Sequence, residues 1–111
     1  MPHLRVRGLA NEQVQALSEQ LTDPLSQLFG CPDDHITIEA IASTFFFRGA
    51  PGGGYPMVEL LWFDRGLDVQ DQVARLITDT IRTLCQAPEL DVAVIVSPLS
   101  QRHYYENGEH F

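Results

Sequence analysis

The chain contains itself twice. "CPDDHITIEAI" (31–41) and "APELDVAVIVS" (87–97) align at an offset of 56, setting Pro32 on Pro88, Asp33 on Glu89, Ile36 on Val92 and Ile38 on Val94. The same offset lays Leu17, Leu21, Leu25 and Leu28 on Val73, Ile77, Ile81 and Leu84, a three- and four-residue spacing that forms one stripe of an amphipathic helix in each half. The opening "PHLRVR" returns at an offset of 54 as "PMVELL", with Pro2 on Pro56, and each half closes on aromatics and a glycine turn, "FFFRG" at 45–49 and "HYYENG" at 103–108. A fixed internal period restricts a chain to architectures built from one repeated unit. Here the unit reads βαβ plus a short strand, with pseudo-repeats 2–49 and 56–108 joined by a Gly-rich linker at 50–54 in a single domain spanning 1–111.

Two such units predict an α/β fold of the α+β sandwich type: one four-stranded mixed sheet with both helices on one face. Each βαβ crossover makes its two strands parallel. Strand alternation then puts Leu4, Val6, Ile36, Ile38, Val58, Leu60, Val92 and Val94 toward the helices. The other face carries His3, Arg5, Arg7, Thr37, Glu39, Met57, Glu59, Leu61, Ala93 and Ile95, where Arg5 and Arg7 are placed to pair with Glu39 and Glu59. A face half polar and half apolar is awkward to leave wet, and three subunits closing around an axis would cover it. Asn11 and Asp68 are candidate helix N-caps, and Asp71 to Arg75 is spaced for an i,i+4 ion pair. Pro24 interrupts the first helical stripe and is expected to bend or shorten that helix.

Composition narrows the function classes. A hydrophobic fraction of 44% and a charged fraction of 20% belong to a globular chain, and 111 residues are enough for one core. Fifteen acidic against seven basic residues give a formal charge of −8, the wrong sign for tracking phosphates, so neither nucleic acid nor an anionic membrane is an expected partner. All seven basic residues are arginine; with no lysine, Schiff-base chemistry and a P-loop are both excluded. Cys31 and Cys85 make no zinc motif, and His3, His35, His103 and His110 lack metal-ligand spacing, so no metal and no other cofactor is expected. Without an apolar run near 20 residues or a signal-peptide pattern, the expectation is a cytoplasmic protein.

Pro2 is the residue with chemistry in reserve. As a strand-initiating proline it gives up an N–H at an end where no ladder bond need be lost. If Met1 is removed, it becomes a secondary amine, and an unperturbed α-amine titrates near pH 8. An apolar pocket or a nearby cation lowers that value toward the range where a general base works best. Pro56, its repeat mate, is an internal amide and cannot act this way.

The "MP" start, the duplicated βαβ, the "GCP" before the second strand and the "NG..F" end resemble the tautomerase superfamily, the fold of macrophage migration inhibitory factor and 4-oxalocrotonate tautomerase. "YPMVELLWF" and "YYENGEHF" look like a bacterial branch of that superfamily without an established reaction. The resemblance implies a homotrimer in which Pro2 shuttles a proton between the carbon and oxygen of a small keto–enol substrate. It also implies that Phe63 floors the pocket and that Arg65 of "FDRG" sits within one position of a carboxylate-gripping arginine. The superfamily's pocket lysine, tyrosine and asparagine fall on Cys31, Val92 and Val94, and a second arginine falls on Thr37 or Ala93. Those departures point away from a dicarboxylate and toward a monoacid or a neutral aromatic ketone.

Several residues carry two readings. Arg65 is a substrate clamp or a turn arginine paired with Asp64 or Asp68. Phe45, Phe46, Phe47, Tyr104 and Tyr105 wall a pocket or anchor an interface; Arg48 reaches a pocket or only solvent. Cys31 reads as an inert thiol. The expected site is thus catalytic Pro2 with Arg65, Phe63, Phe47, Arg48 and Tyr104 on the substrate. The rival is a non-catalytic homotrimer that keeps the fold as a binding or scaffold module.

Overall fold

The computed structural model describes Met1–Phe111. Strand β1 (His3–Arg7) leads into helix α1 (Asn11–Phe29), and a single 3-10 turn at Asp33–His35 delivers β2 (Thr37–Ala40). A hairpin of β3 (Phe46–Phe47) and β4 (Ala50–Pro51) ends the first half. The second half repeats the plan with β5 (Met57–Trp62), α2 (Leu67–Leu84), β6 (Ala93–Pro98) and the hairpin β7 (Tyr105–Glu106) and β8 (Glu109–His110). The central sheet runs β2-β1-β5-β6. Both outer pairs are parallel, β1 with β2 and β5 with β6, and the two halves meet antiparallel at β1 and β5, Arg5 opposite Glu59. The duplicated sandwich read from the repeat is the fold.

The prolines that open the two repeats do the same structural work. Pro2 and Pro56 are both buried. The Pro2 carbonyl accepts a hydrogen bond from the Thr37 amide at 3.2 Å, and the Pro56 carbonyl accepts one from the Ala93 amide at 3.0 Å. Each thereby starts a parallel ladder while lacking only a donor that the strand end does not use.

The core sits between helices and sheet. Leu4, Val6, Val58, Leu60 and Trp62 bury their side chains against Val14, Leu17, Leu21, Leu25 and Phe29 of α1 and Val73, Ile77 and Ile81 of α2. Ile36, Ile38, Val92 and Val94, on the outer strands, are partly buried against this cluster, as alternation requires. Gly8 permits the close approach of the halves. Its φ is +86°, and a Cβ there would lie 2.8 Å from the Tyr55 carbonyl oxygen.

Local details depart from expectation. Pro24 does not shorten α1, which runs unbroken for 19 residues. The buried Leu21 and Leu25 on either side hold the helix down, and burying one leucine is worth about 1.5–3 kcal/mol, so two together offset a proline's cost of about 3 kcal/mol. The N-caps are Ala10 and Gly66, one residue before Asn11 and two before Asp68. Ala10 has no side-chain acceptor, but its amide donates to Gln13 Oε1 at 2.8 Å, and the Gly66 amide donates to Asp64 Oδ1 at 2.8 Å. The Asp71–Arg75 pair does not form; the ion pairs are His3–Glu39, Arg5–Glu39 and Arg5–Glu59, with Arg7 outside them. Ala50–Pro51, expected as linker, pair with Phe46–Phe47, so only the glycines at 52–54 are left without regular structure. Neither helix is long and apolar enough to cross a membrane.

Candidate functional site

A cleft of about 400 Å³ opens where the N-terminus, the 3-10 turn before β2 and the C-terminal tail converge, lined by Met1, His3, Asp34, His35, Thr37, Tyr104, Glu106 and Phe111. Parallel pairing makes the first part of this convergence. Register sets His3 beside Thr37, and His3 Nδ1 hydrogen-bonds the Thr37 hydroxyl at 2.6 Å while Nε2 lies 3.4 Å from Glu39. The Met1 ammonium donates to the His35 carbonyl at 3.2 Å. Pro2, between two lining residues, is buried.

The tail makes the second part. Asn107 and Gly108 take φ of +56° and +83°, the left-handed pair that a two-residue hairpin turn needs. The turn folds the last residues back so that the Phe111 amide donates to the Tyr104 carbonyl at 3.1 Å. Phe63, Tyr104 and Phe111 then form an aromatic triad with ring centroids 5.1–5.5 Å apart, Tyr104 edge-on to both partners. The Tyr104 hydroxyl donates to Glu106 Oε2 at 3.3 Å. Burial first, then the charge and hydrogen bond of Glu106, hold the Tyr104 phenol above its usual value of 10.0.

The other expected site residues lie elsewhere in the chain. Arg65 Nε donates to the Phe29 carbonyl at 3.0 Å and Nη1 to the Phe63 carbonyl at 2.6 Å. Its guanidinium lies 5.1 Å from the Phe29 ring centre and 5.7 Å from that of Trp62. It pairs with neither Asp64 nor Asp68; it caps the C-terminal end of α1. Phe47 and Arg48 are at the tip of the β3–β4 hairpin, where Phe47 is 63% exposed and the Arg48 guanidinium stacks 5.3 Å from its ring. Of the expected site residues the single chain therefore puts Tyr104 in the cleft lining, with Phe63 packed against it and Pro2 behind Met1, and leaves Arg65, Phe47 and Arg48, like Phe63 itself, outside the lining.

A family model described as a domain of unknown function, DUF1904, matches residues 1–110. The chain belongs to the DUF1904 family. Its fold is shared closely by a family member from Sebaldella termitidis, 38% identical over all of both chains with a TM-score of 0.91. A protein of unknown function from Vibrio cholerae is 42% identical, with 99% of this chain and 87% of that one aligned and a TM-score of 0.89. Beyond the family the fold is shared with fused 4-OT and with macrophage migration inhibitory factor homologues. A fused 4-OT solved as an asymmetric trimer aligns over 97% of this chain and 94% of its own at a TM-score of 0.79 and 18% identity. A macrophage migration inhibitory factor homologue from Prochlorococcus marinus aligns over 99% and 97% at 0.75, also at 18% identity. No curated protein matches in sequence.

For this DUF1904 chain, sequence reasoning missed Met1, His3, Asp34, His35, Thr37, Glu106 and Phe111 as cleft residues. Two signals for them were present. The repeat fixes β1 parallel to β2, which brings His3 to Thr37, and the "NG" turn brings the last residue back to Tyr104.

Proposed function

We propose that the protein is a homotrimeric acid/base enzyme interconverting the enol and keto forms of a small carbonyl compound, with the Pro2 amine, freed by loss of Met1, as its base. One observation carries the reading: Met1 and His3 both line the cleft and Pro2 is buried between them, so loss of a single residue turns Pro2 into a secondary amine at the cleft wall. An amine held there is poorly solvated, which disfavours its charged form and keeps it basic near neutrality. It takes the proton from the carbon beside the carbonyl in one direction and returns it in the other. Tyr104 and Phe111 offer flat walls to a planar enol, and Phe63 packs against both rings. Arg65 positions Phe63 by holding its carbonyl. Phe47 and Arg48, at an exposed hairpin tip, reach substrate from a neighbouring copy. Trimerisation is supported by the half-polar sheet face and by the trimeric fused 4-OT of like fold.

The second reading, a non-catalytic trimeric binding module, draws on the Met1 ammonium's hydrogen bond to His35, which holds the methionine over Pro2. The intact mass of protein purified from its native source separates the two. The enzyme reading expects a mass short by one methionine residue. A retained methionine leaves Pro2 an amide and overturns it.

A further inference from the structure

We propose that Tyr104 and Glu106 are the oxygen-side acid/base pair of this cleft, acting on the substrate's enol oxygen while Pro2 acts on its carbon, and that the substrate carries no carboxylate next to that oxygen. The inference rests on the enol–keto reading above and adds to it a second pair of groups and a substrate class.

The geometry is that of a donor with its own proton acceptor. Tyr104 and Glu106 line the same cleft as Met1, and the Tyr104 hydroxyl donates to Glu106 Oε2 at 3.3 Å. Phe63 and Phe111 hold the Tyr104 ring near right angles at 89° and 87°, so the hydroxyl is fixed in position while Glu106 stays exposed to water. The burial and charge that keep the phenol neutral also keep its proton available at the pH where the proline amine is basic.

In the ketonising direction the Pro2 ammonium gives its proton to the enol carbon, and a C–H bond forms as the C=C bond is spent. The enol O–H breaks as C=O forms, its proton passing to the Tyr104 oxygen while Tyr104 passes its own to Glu106. Glu106 releases that proton to water and Pro2 takes one from water. Charge and oxidation state are unchanged over the cycle.

Charge in the cleft sets the substrate class. Its carboxylates are Asp34 and Glu106, and no arginine is among its lining residues. Arg5 is bound to Glu39 and Glu59, Arg65 to two carbonyls, and Arg102 to Tyr105. Within this chain, a substrate carboxylate beside the enol oxygen meets Glu106 with no guanidinium set against it, the Arg48 of a neighbouring copy being left to the far end of the substrate, and an uncharged carbonyl compound meets no such repulsion.

The test is steady-state ketonisation by Met1-free protein of the enol of methyl phenylpyruvate and of phenylpyruvate itself, using wild type, Tyr104→Phe, Glu106→Gln, Pro2→Ala and Tyr105→Phe. Tyr104→Phe keeps the ring and its packing, and Glu106 is exposed, so neither change threatens the fold. Both are expected to lower kcat on the ester by about 100-fold with KM within about threefold, Tyr105→Phe is expected to match wild type, and the ester is expected to outrun the free acid. A Tyr104→Phe kcat within about threefold of wild type, or a loss confined to KM, overturns the proposal while an inactive Pro2→Ala leaves the proline reading standing. Preference for the free acid overturns the substrate class. No turnover by wild type overturns both readings.

Discussion

Arg65 illustrates how much a single side chain's setting decides. A guanidinium in a turn after a strand can grip a carboxylate, but this one has Nε and Nη1 on the carbonyls of Phe29 and Phe63 and its plane against two aromatic rings. Hydrogen bonds to a charged group are worth about 1.5–3 kcal/mol each when the alternative is a stranded carbonyl. Arg65→Ala is therefore expected to lower unfolding free energy by about 2 kcal/mol, with Arg65→Lys recovering only part because a lysine cannot present the planar fork; urea titration reads both. Tyr104 gives a pH prediction. Its folded-state value lies above the ordinary 10.0, so the neutral phenol is favoured by the fold and its stabilisation is complete below pH 10. It is lost as pH rises through the higher folded value. The alkaline absorbance difference between wild type and Tyr104→Phe should have its midpoint above 10.0, and the stability gap between the two proteins should close as that midpoint is passed.

At the scale of elements, the repeat made the helices, the parallel pairs and the central antiparallel join legible, because hydrophobic spacing is set by the same burial that forms the sheet and its helical layer. Pro24 was legible as a defect but not in its outcome, since the energy that keeps α1 whole comes from contacts of Leu21 and Leu25 across the sandwich rather than from neighbours in sequence. Replacing it restores an amide donor, and Pro24→Ala is expected to raise the melting temperature through a gain of up to about 3 kcal/mol in helix propensity; an unchanged or lower melting temperature would show that the ring itself packs. The hairpins explain why the site was only half readable. Phe63 and Tyr104 stood out as aromatics near turns, yet their partners at the cleft depend on where the tail is carried by Asn107 and Gly108, a matter of two backbone angles. The first hairpin makes the same turn with Arg48 at φ +50°, and its aromatics point outward instead, with Phe46 68% exposed.

The whole molecule is more extended than a chain of its size needs to be. Its surface of 7001 Å² exceeds the about 6,200 Å² typical of a monomer of this mass, and its radius of gyration of 14.8 Å exceeds the about 13 Å typical of its length. Projecting hairpins and a sheet face carrying the half-exposed Ile95 beside the Arg5–Glu59 pair are what subunits closing around an axis would cover. Ile95→Glu, which adds a charge to that face, is expected to convert a trimer to monomers in sedimentation equilibrium; a wild-type chain that sediments as a monomer contradicts the assembly. In the trimer proposed above, the cleft and the neighbouring hairpin tip would form one site around Pro2. The claim on which everything else hangs is that Pro2 is the base. It is tested most directly by the rate at which Met1-free wild type and Pro2→Ala ketonise the enol of methyl phenylpyruvate: the account predicts a fall of at least about 100-fold in the variant, and equal rates would contradict it.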